Sequence, residues 1–224
     1  MPASRPLSEN IEDYLEAIHR MSETARGVST TGLAQRLQVR AASVTGMLRR
    51  LTELGLIRYR PYRNIALTQE GERRAHEVIR RHRLVERLLS DLLHVPLEQT
   101  HQEACRLEHA VSSQLETYLA AALGSPASCP HGHPIDAAVD DRTIPLLEAP
   151  LHRQLTIARL NDESPEVVRY LSERNLLPRA RVTLTLREPL GDAVVLKVAE
   201  QTHTLGYRLA ASIRVERPKR RRSS

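Results

Sequence analysis

The stretch between Thr30 and Thr68 constrains the fold most, because its periodicity changes twice within forty residues. Thr30 or Thr31 can cap a short helix that turns Leu33, Ala34 and Leu37 inward. Gln38-Val39-Arg40 is short enough only for a tight turn. A second helix is expected from Ala41 to Leu54, with Val44, Met47, Leu48 and Leu51 on one face and Gly55 just past its end. Leu56 to Arg60 then alternates as a strand does, Pro61 to Asn64 is a turn, and Ile65-Ala66-Leu67 returns as a second strand. Helix, tight turn, helix and two-stranded ribbon, in that order, form a winged helix-turn-helix.

Charge follows the same division. The chain of 224 residues carries a formal net charge of +6. Arg36, Arg40, Arg49, Arg50, Arg58, Arg60 and Arg63 face a single acid, Glu53, across residues 30–63, whereas Glu98 to Glu148 is acidic. A local basic surface is the footprint of a polyanion, and in this motif the second helix enters the major groove of double-stranded DNA. Arg40, Ala42, Ser43, Thr45 and Gly46 open that helix and are the candidates for base edges, with Arg40 and Arg49 offering guanidinium forks. Arg60 and Arg63 on the ribbon suit the sugar-phosphate backbone, and Arg50 is a further DNA-binding candidate. Lys219, Arg220, Arg221 and Arg222 form a further basic run, expected to be a disordered tail.

Around this module the pattern is mainly helical, then β. Ser8 or Asn10 can cap a first helix whose Ile11, Leu15, Ile18 and Met21 recur at helical spacing. Thr68 caps a long helix expected from Gln69 to His94, and another is expected from Leu97 to Leu123. A proline-rich stretch, 125–150, reads as loop or linker. Short β runs follow at 155–160, 182–186, 194–198, 202–205 and 213–215, with a helix start at Ser164-Pro165-Glu166, which together suggest a small β-barrel. The longest unbroken apolar run, Tyr118 to Leu123, is six residues, against the ~20 that a membrane span needs. Acids precede any apolar stretch at the N-terminus, and two cysteines make no disulfide framework, so a reducing cytoplasmic setting and no membrane partner are expected.

The second helical region carries donors for metal. His101, Cys105, Glu108 and His109 recur at i, i+4, i+7 and i+8, hence on one face of one helix. His82 and Glu86 are an i, i+4 pair on the helix before it, and Asp13 and Glu16 an i, i+3 pair on the first helix. A lone His or a His–Glu neighbour pair is ordinary surface chemistry. Four metal-competent side chains on one face are not, because burying them unpaired is costly. Mixed N, O and S donors suit a divalent transition metal rather than calcium or magnesium. Cys129, His131 and His133 form a C-x-H-x-H cluster that can pass for a third site, although its flanking prolines favour a structural loop.

These residues carry a resemblance. Glu12-Asp13-Tyr14-Leu15-Glu16, the winged helix, the run Arg81 to Leu89 (RHRLVERLL), the run His101 to His109 (HQEACRLEH) and the loop Pro130 to Ile135 together resemble the diphtheria-toxin-repressor family of metal-dependent transcriptional regulators. The resemblance covers residues 8 to about 136, and the C-terminal β region is similar to the family's SH3-like (FeoA-like) domain. It implies a mainly α protein with a small β part, divided into a DNA-binding domain (1–72), a helical metal-binding and dimerisation domain (73–140), a linker (141–150), an SH3-like FeoA-type barrel (151–217) and a basic tail (218–224). It implies a primary metal site of Asp13, Cys105, Glu108 and His109, with Glu16 matching a ligand of the manganese-responsive branch, and a second site of His82, Glu86 and His101, to which Glu163 and Glu166 are candidate additions. Cys105 departs from the manganese branch and Asp13 from the iron branch. Oxygen donors favour Mn(II), placed first here, and the thiolate pulls toward Fe(II) or zinc. Leu84, Leu88, Leu89, Leu92 and Leu93 are expected to form the seam of a homodimer that matches a palindromic operator, with no small organic substrate. In the expected mechanism, clustered carboxylates repel without metal and are drawn together by it. The alternatives are a metal-independent winged-helix regulator and a metallohydrolase, and the chain lacks an H-E-x-x-H run or a G-x-S-x-G elbow.

Overall fold

The computed structural model describes residues 7–24, 27–60, 64–136, 143–188 and 192–217. The chain divides into two units, Met1–Arg81 and His82–Ser224. Arg63, the basic run 218–224, most of the ribbon turn and Gly191 of the hairpin lie outside the described residues.

The N-terminal unit is built on α1 (Glu9–Thr24), α2 (Thr30–Arg36), α3 (Ala41–Glu53), β1 (Ile57–Arg58), β2 (Ala66–Leu67) and the start of α4 (Gln69–Arg87). The cap of α2 is Ser29, one residue earlier than expected, and its hydroxyl accepts from Gly32 N at 3.1 Å. Gln38 takes a left-handed conformation (φ 54°) and turns the chain into α3. Gly55 (φ 69°) ends α3 as the sequence implies. β1 and β2 are antiparallel, with Ile57 opposite Leu67, and Val28 bridges Ile65 at the base of the ribbon. Leu15, Ile18, Leu33, Val44, Leu48 and Leu51 are fully buried in one apolar core. Arg81 donates to Glu12 at 2.8 Å, and His19 meets Glu72 at 2.9 Å, so α1 and the first turns of α4 run antiparallel.

The C-terminal unit departs from expectation in its helices. α4 gives way at Leu88 to a single π-helical turn, Leu88–Leu92, and so stops short of His94. The expected helix from Leu97 to Leu123 is broken into α5 (Leu97–Leu107), a 3-10 turn (Glu108–Ala110) and α6 (Ser113–Ala122), which is recapped by Ser112 accepting from Leu115 N at 3.2 Å. Apolar periodicity runs across this break, and the cap signal at Ser112 is its visible trace. Two small apolar clusters hold these helices, Val85, Leu89, Ala104 and Val111 in one and Leu84, Cys129 and Ile135 in the other.

The β runs are strands β4 (Gln154–Leu160), β5 (Arg181–Arg187), β6 (Ala193–Val198), β7 (Gln201–Gly206) and β8 (Ile213–Glu216). A strand inside the expected linker, β3 (Thr143–Pro145), pairs with β8 and belongs to the same six-stranded antiparallel sheet, ordered β3-β8-β4-β5-β6-β7. The sheet thus reaches back to Thr143, inside the stretch 141–150 expected to be linker. Ile144 and Leu147 are half-buried against the core, and Ile144 stands between Thr143 and Pro145, a pattern too short to read as a strand alone. Register shifts at Ile157/Arg159 and Leu184/Leu186 curl the sheet around Leu155, Ile157, Leu184, Val194, Leu196 and Val215. Two short helices, α7 (Pro165–Ser172) and α8 (Tyr207–Ala211), complete the unit, and α7 packs on α5.

Candidate metal centre and nucleic-acid interface

The face of α3 opposite its buried Val44, Leu48 and Leu51 is polar and open. Arg40, Ala42, Ser43, Gly46, Arg49 and Arg50 are exposed there, and Thr45 is half-buried with its hydroxyl donating to Ala41 O at 3.1 Å. A methyl group at Gly46 would meet no atom within 4 Å. Nothing in the fold asks for glycine at that position, and its effect is to leave the helix surface flat. Arg60 is exposed at the end of the ribbon.

In the C-terminal unit the donors converge. His82 and Glu86 project from one face of α4 and are wholly buried. His82 Nδ1 lies 2.5 Å from Glu108 Oε2, and its Nε2 lies 3.2 Å from Glu86 Oε1 and 3.0 Å from His101 Nδ1. His101, on α5, also meets Glu163 Oε2 at 3.0 Å, and Cys105 Sγ is 3.8 Å from its Nε2. His109 sits beside Glu108 at 3.4 Å. His82, Glu86, His101 and Glu163 can each bring a donor within 4.8 Å of the others, and so can His82, His101 and Cys105. Glu163, rather than Glu166 in the first turn of α7, makes the contacts with His101.

Without metal, Glu108 and Cys105, expected at the first site, touch His82 and His101, expected at the second. The C-x-H-x-H loop packs against the same donors. His131 Nδ1 meets Glu86 Oε1 at 3.1 Å, and His133 Nε2 meets Glu163 Oε1 at 3.2 Å and Leu160 O at 2.8 Å. Glu86, Cys129 and His131 also bring donors within 4.8 Å of one another, all three buried. The prolines that flank this loop pointed to its rigidity. Its reach to Glu86 depends on tertiary packing that local sequence does not encode.

That packing is specific. Arg83 and Arg87, four residues apart on α4, donate to Pro134 O at 2.6 Å and Ser128 O at 2.6 Å, and Cys129 N and His133 O close the loop at 2.7 Å. Leu160 N donates to His131 O at 2.9 Å, which lays the loop against β4. Gly132 (φ 92°) is required there, since a Cβ would fall 2.0 Å from Ala158 O.

The electrostatics are those of a buried, mutually neutralising cluster. Burial disfavours charge on His82, but Glu86, Glu108 and Cys105 outweigh it and hold its pKa well above the usual value. Burial likewise opposes charge on His101, and bonds to Cys105, Glu163 and Glu86 push it up to about 11. Glu86 would be raised by burial but is held well below the carboxylate range by His82 and by its bonds to His101 and His131. The Cys105 thiol is lowered by His101 and His82 against the effect of burial, whereas burial and the charges of Glu86 and Glu163 push the Cys129 thiol well up. Within this unit the carboxylates therefore face imidazoles that are shifted toward their charged form. Glu86 Oε2 and His131 Nε2 are buried without a hydrogen bond, which fits a donor set that a cation completes.

Asp13 and Glu16 lie on α1 in the N-terminal unit. Asp13 is half-buried, and the Glu16 carboxylate accepts from Arg20 Nε at 2.7 Å. Of the expected apolar seam, Leu84 and Leu89 are interior, whereas Leu92 and Leu93 are 54% and 60% exposed and Leu107, Leu115 and Tyr118 are also open. No helix among the described residues is long and apolar enough to cross a membrane.

Comparison with known proteins is consistent along the chain. Three family models match in succession: the iron dependent repressor N-terminal DNA binding domain over residues 6–65, the iron dependent repressor metal binding and dimerisation domain over residues 68–137, and the FeoA domain over residues 144–217. The chain is 31% identical over 227 residues to the iron-dependent repressor IdeR of Mycobacterium leprae, an alignment covering 94% of this chain and 98% of that protein. A solved manganese-dependent transcriptional repressor in complex with manganese superposes with a TM-score of 0.86 at 31% identity, over 92% of this chain and 99% of that one. ScaR with bound Cd2+ superposes with a TM-score of 0.83 at 27% identity, over 93% and 100%. This chain belongs to the diphtheria-toxin-repressor family of iron-dependent repressors.

Proposed function

We propose that the chain is a transcriptional repressor of metal-uptake genes whose binding to double-stranded operator DNA requires a divalent transition metal, Mn(II) first and Fe(II) second. The observation that carries this reading is Glu86: wholly buried, shared by three imidazoles, and still with one oxygen lacking a hydrogen bond. His82, Glu86, His101, Glu163, Cys105 and Glu108 are the proposed ligands of the C-terminal unit, with His109, Cys129 and His131 beside them. Asp13 and Glu16 keep the ligand role that the resemblance implies. The similarity to a repressor solved with manganese and to an iron-dependent one supports both ions. The carboxylates favour Mn(II), and the Cys105 thiolate draws the set toward Fe(II) or zinc.

A divalent cation held there would supply positive charge to the carboxylates, and His82 and His101 would bind it as neutral imidazoles, so binding would release protons. On the N-terminal unit, Arg40, Ala42, Ser43, Thr45 and Gly46 face base edges, and Arg49, Arg50, Arg60 and Arg63 hold phosphates. Leu92, Leu93, Leu107, Leu115 and Tyr118 supply an exposed apolar surface for a homodimer, which a palindromic operator would match. Metal and DNA must then raise each other's affinity by the same factor.

The test is fluorescence anisotropy on promoter DNA from a metal-transporter gene. It is run anaerobically with chelator and then with Mn(II), Fe(II) and Zn(II), at fixed salt because phosphate contacts make affinity salt-dependent. Tight binding only with metal is expected, and the order of the metals ranks the ions. Equal binding with and without chelator overturns the reading.

A further inference from the structure

The N-terminal unit holds a second set of metal-competent side chains that the repressor reading does not use. His19 and Glu23 stand one turn apart on α1, and Glu72 and His76 one turn apart on the facing turns of α4. The antiparallel register of the two helices sets these pairs against each other. His19 Nδ1 lies 2.9 Å from Glu72 Oε2, and His76 Nε2 lies 3.7 Å from the same oxygen. The two imidazole rings meet edge to face with centroids 4.8 Å apart. Donors of His19, Glu72 and His76 all fall within 4.8 Å of one another.

We infer that His19, Glu72 and His76 form a further divalent transition-metal site of the two-histidine, one-carboxylate kind, located on the DNA-binding unit. Two donors each about 2.1 Å from a tetrahedral ion are about 3.4 Å apart, and the two measured separations bracket that value, so small rotamer changes bring the set to an ion. His19 is 7% exposed, and its other ring nitrogen is buried without a hydrogen bond while facing the Glu23 carboxylate at 3.9 Å. A ligating imidazole is commonly oriented by a carboxylate on its far nitrogen, and Glu23 stands in that place. Glu72 and His76 are partly open to solvent, which gives an ion a way in and water a place to complete its coordination. With two imidazole nitrogens, one carboxylate oxygen and no sulfur, the set suits Zn(II) and its late first-row neighbours. An ion there ties α1 to α4 within the DNA-binding unit. The inference is independent of the regulator reading, because none of its residues belongs to the cluster around Glu86.

The experiment uses the full untagged chain. Equilibrium dialysis against Zn(II), followed by metal analysis, counts equivalents bound by the wild type and by His76→Ala and Glu72→Gln. Both variants change partly exposed side chains, and thermal unfolding in chelator checks that each folds. One equivalent fewer in each variant is expected. In parallel Co(II) titrations, the lost equivalent should carry d–d bands without thiolate-to-cobalt charge transfer, since no cysteine is in the set. Unchanged stoichiometry in either folded variant overturns the site and leaves the three residues a hydrogen-bonded tie between helices. Loss of an equivalent that does carry the thiolate band also overturns it, because the missing ion then came from the cysteine-containing cluster.

Discussion

On α3, Arg40, Arg49 and Arg50 stand exposed above Val44, Leu48 and Leu51, which are wholly buried. On α4, His82 and Glu86 occupy positions as buried as those leucines, and the apolar clusters beside them number four and three buried residues. The N-terminal unit folds on apolar burial and presents charge outward. The helices of the C-terminal unit pack around charge, with little apolar area to hold them. Apolar burial tolerates small changes in proportion to area, whereas a buried charged network depends on every partner being in place. Substitutions in the two regions should therefore differ in kind.

The largest effect is expected at the centre of the cluster. Glu86→Gln keeps the shape of the side chain but removes the charge that His82, His101 and His131 share. It should weaken Mn(II) binding by at least about a hundredfold and, because it breaks one partner of a buried ionic network, cost about 3–5 kcal/mol in the metal-free chain. Competition with a chromophoric chelator reads the first effect and urea unfolding the second. A variant that binds Mn(II) like the wild type would remove Glu86 from the ligand set.

Proton linkage sharpens the same contrast. The surrounding carboxylates push the pKa of His101 up to about 11 and shift His82 the same way, and the 3.0 Å contact between His82 Nε2 and His101 Nδ1 holds one proton, so the pair shares its charge. Each proton displaced by metal should make affinity rise about tenfold per pH unit. Stability of the metal-free chain follows the opposite course. A histidine raised on folding contributes most below the unfolded value of about 6.5, and that contribution is lost as pH climbs toward the folded value. Isothermal titration from pH 6 to 8 and unfolding from pH 6 to 10 test the two slopes. A pH-independent metal affinity would mean that the imidazoles are not the groups displaced.

The unequal legibility of the two regions has the same cause. The helix-turn-helix was readable because its chemistry is local: a cap expected at Thr30 or Thr31 and found one residue earlier, a turn at Gln38, an inward face at helical spacing and arginines on the remaining face. His82, Glu86, His101 and Glu108 stand out as candidate donors from spacing and resemblance, and the structure brings them into contact. The contact of Glu108 with His82 was less legible, since Glu108 lies in a 3-10 turn that apolar periodicity runs straight through. His131 and His133 were seen, but as parts of a loop. Their role comes from hydrogen bonds 45 and 27 residues away in sequence, to Glu86 and Leu160. β3 was lost in a proline-rich stretch because three residues carry too little alternation to register.

Gly132→Ala separates loop placement from ligand chemistry. Its Cβ would collide with Ala158 O and the positive φ would add strain, so the loop must lift off β4 at a cost of about 2 kcal/mol or more. Unfolding should shift accordingly. Metal affinity should fall although no donor is changed, while DNA contacts made by α3 keep their chemistry. Arg49→Ala is the converse. It should lower operator affinity about tenfold and leave metal binding untouched. If Arg49 contacts phosphate, the salt slope falls by about one and all sequences weaken alike. If it reads a base, discrimination at one position relaxes instead.

The smallest expected effect asks whether the C-terminal helices depend on local signals at all. Ser112 caps α6 through a single bond from Leu115 N. Loss of such a cap costs about 1 kcal/mol where the helix is otherwise well supported. None of the residues of α6 is buried in the monomer, so the helix has little packing of its own to resist fraying. If the exposed Leu115 and Tyr118 form part of a homodimer interface, Ser112→Ala should lower the melting temperature by a few degrees at low protein concentration and by less at high concentration, where association restores support. A shift independent of concentration would place α6 outside the dimer surface and leave Leu92 and Leu93 as the apolar residues that still need a partner.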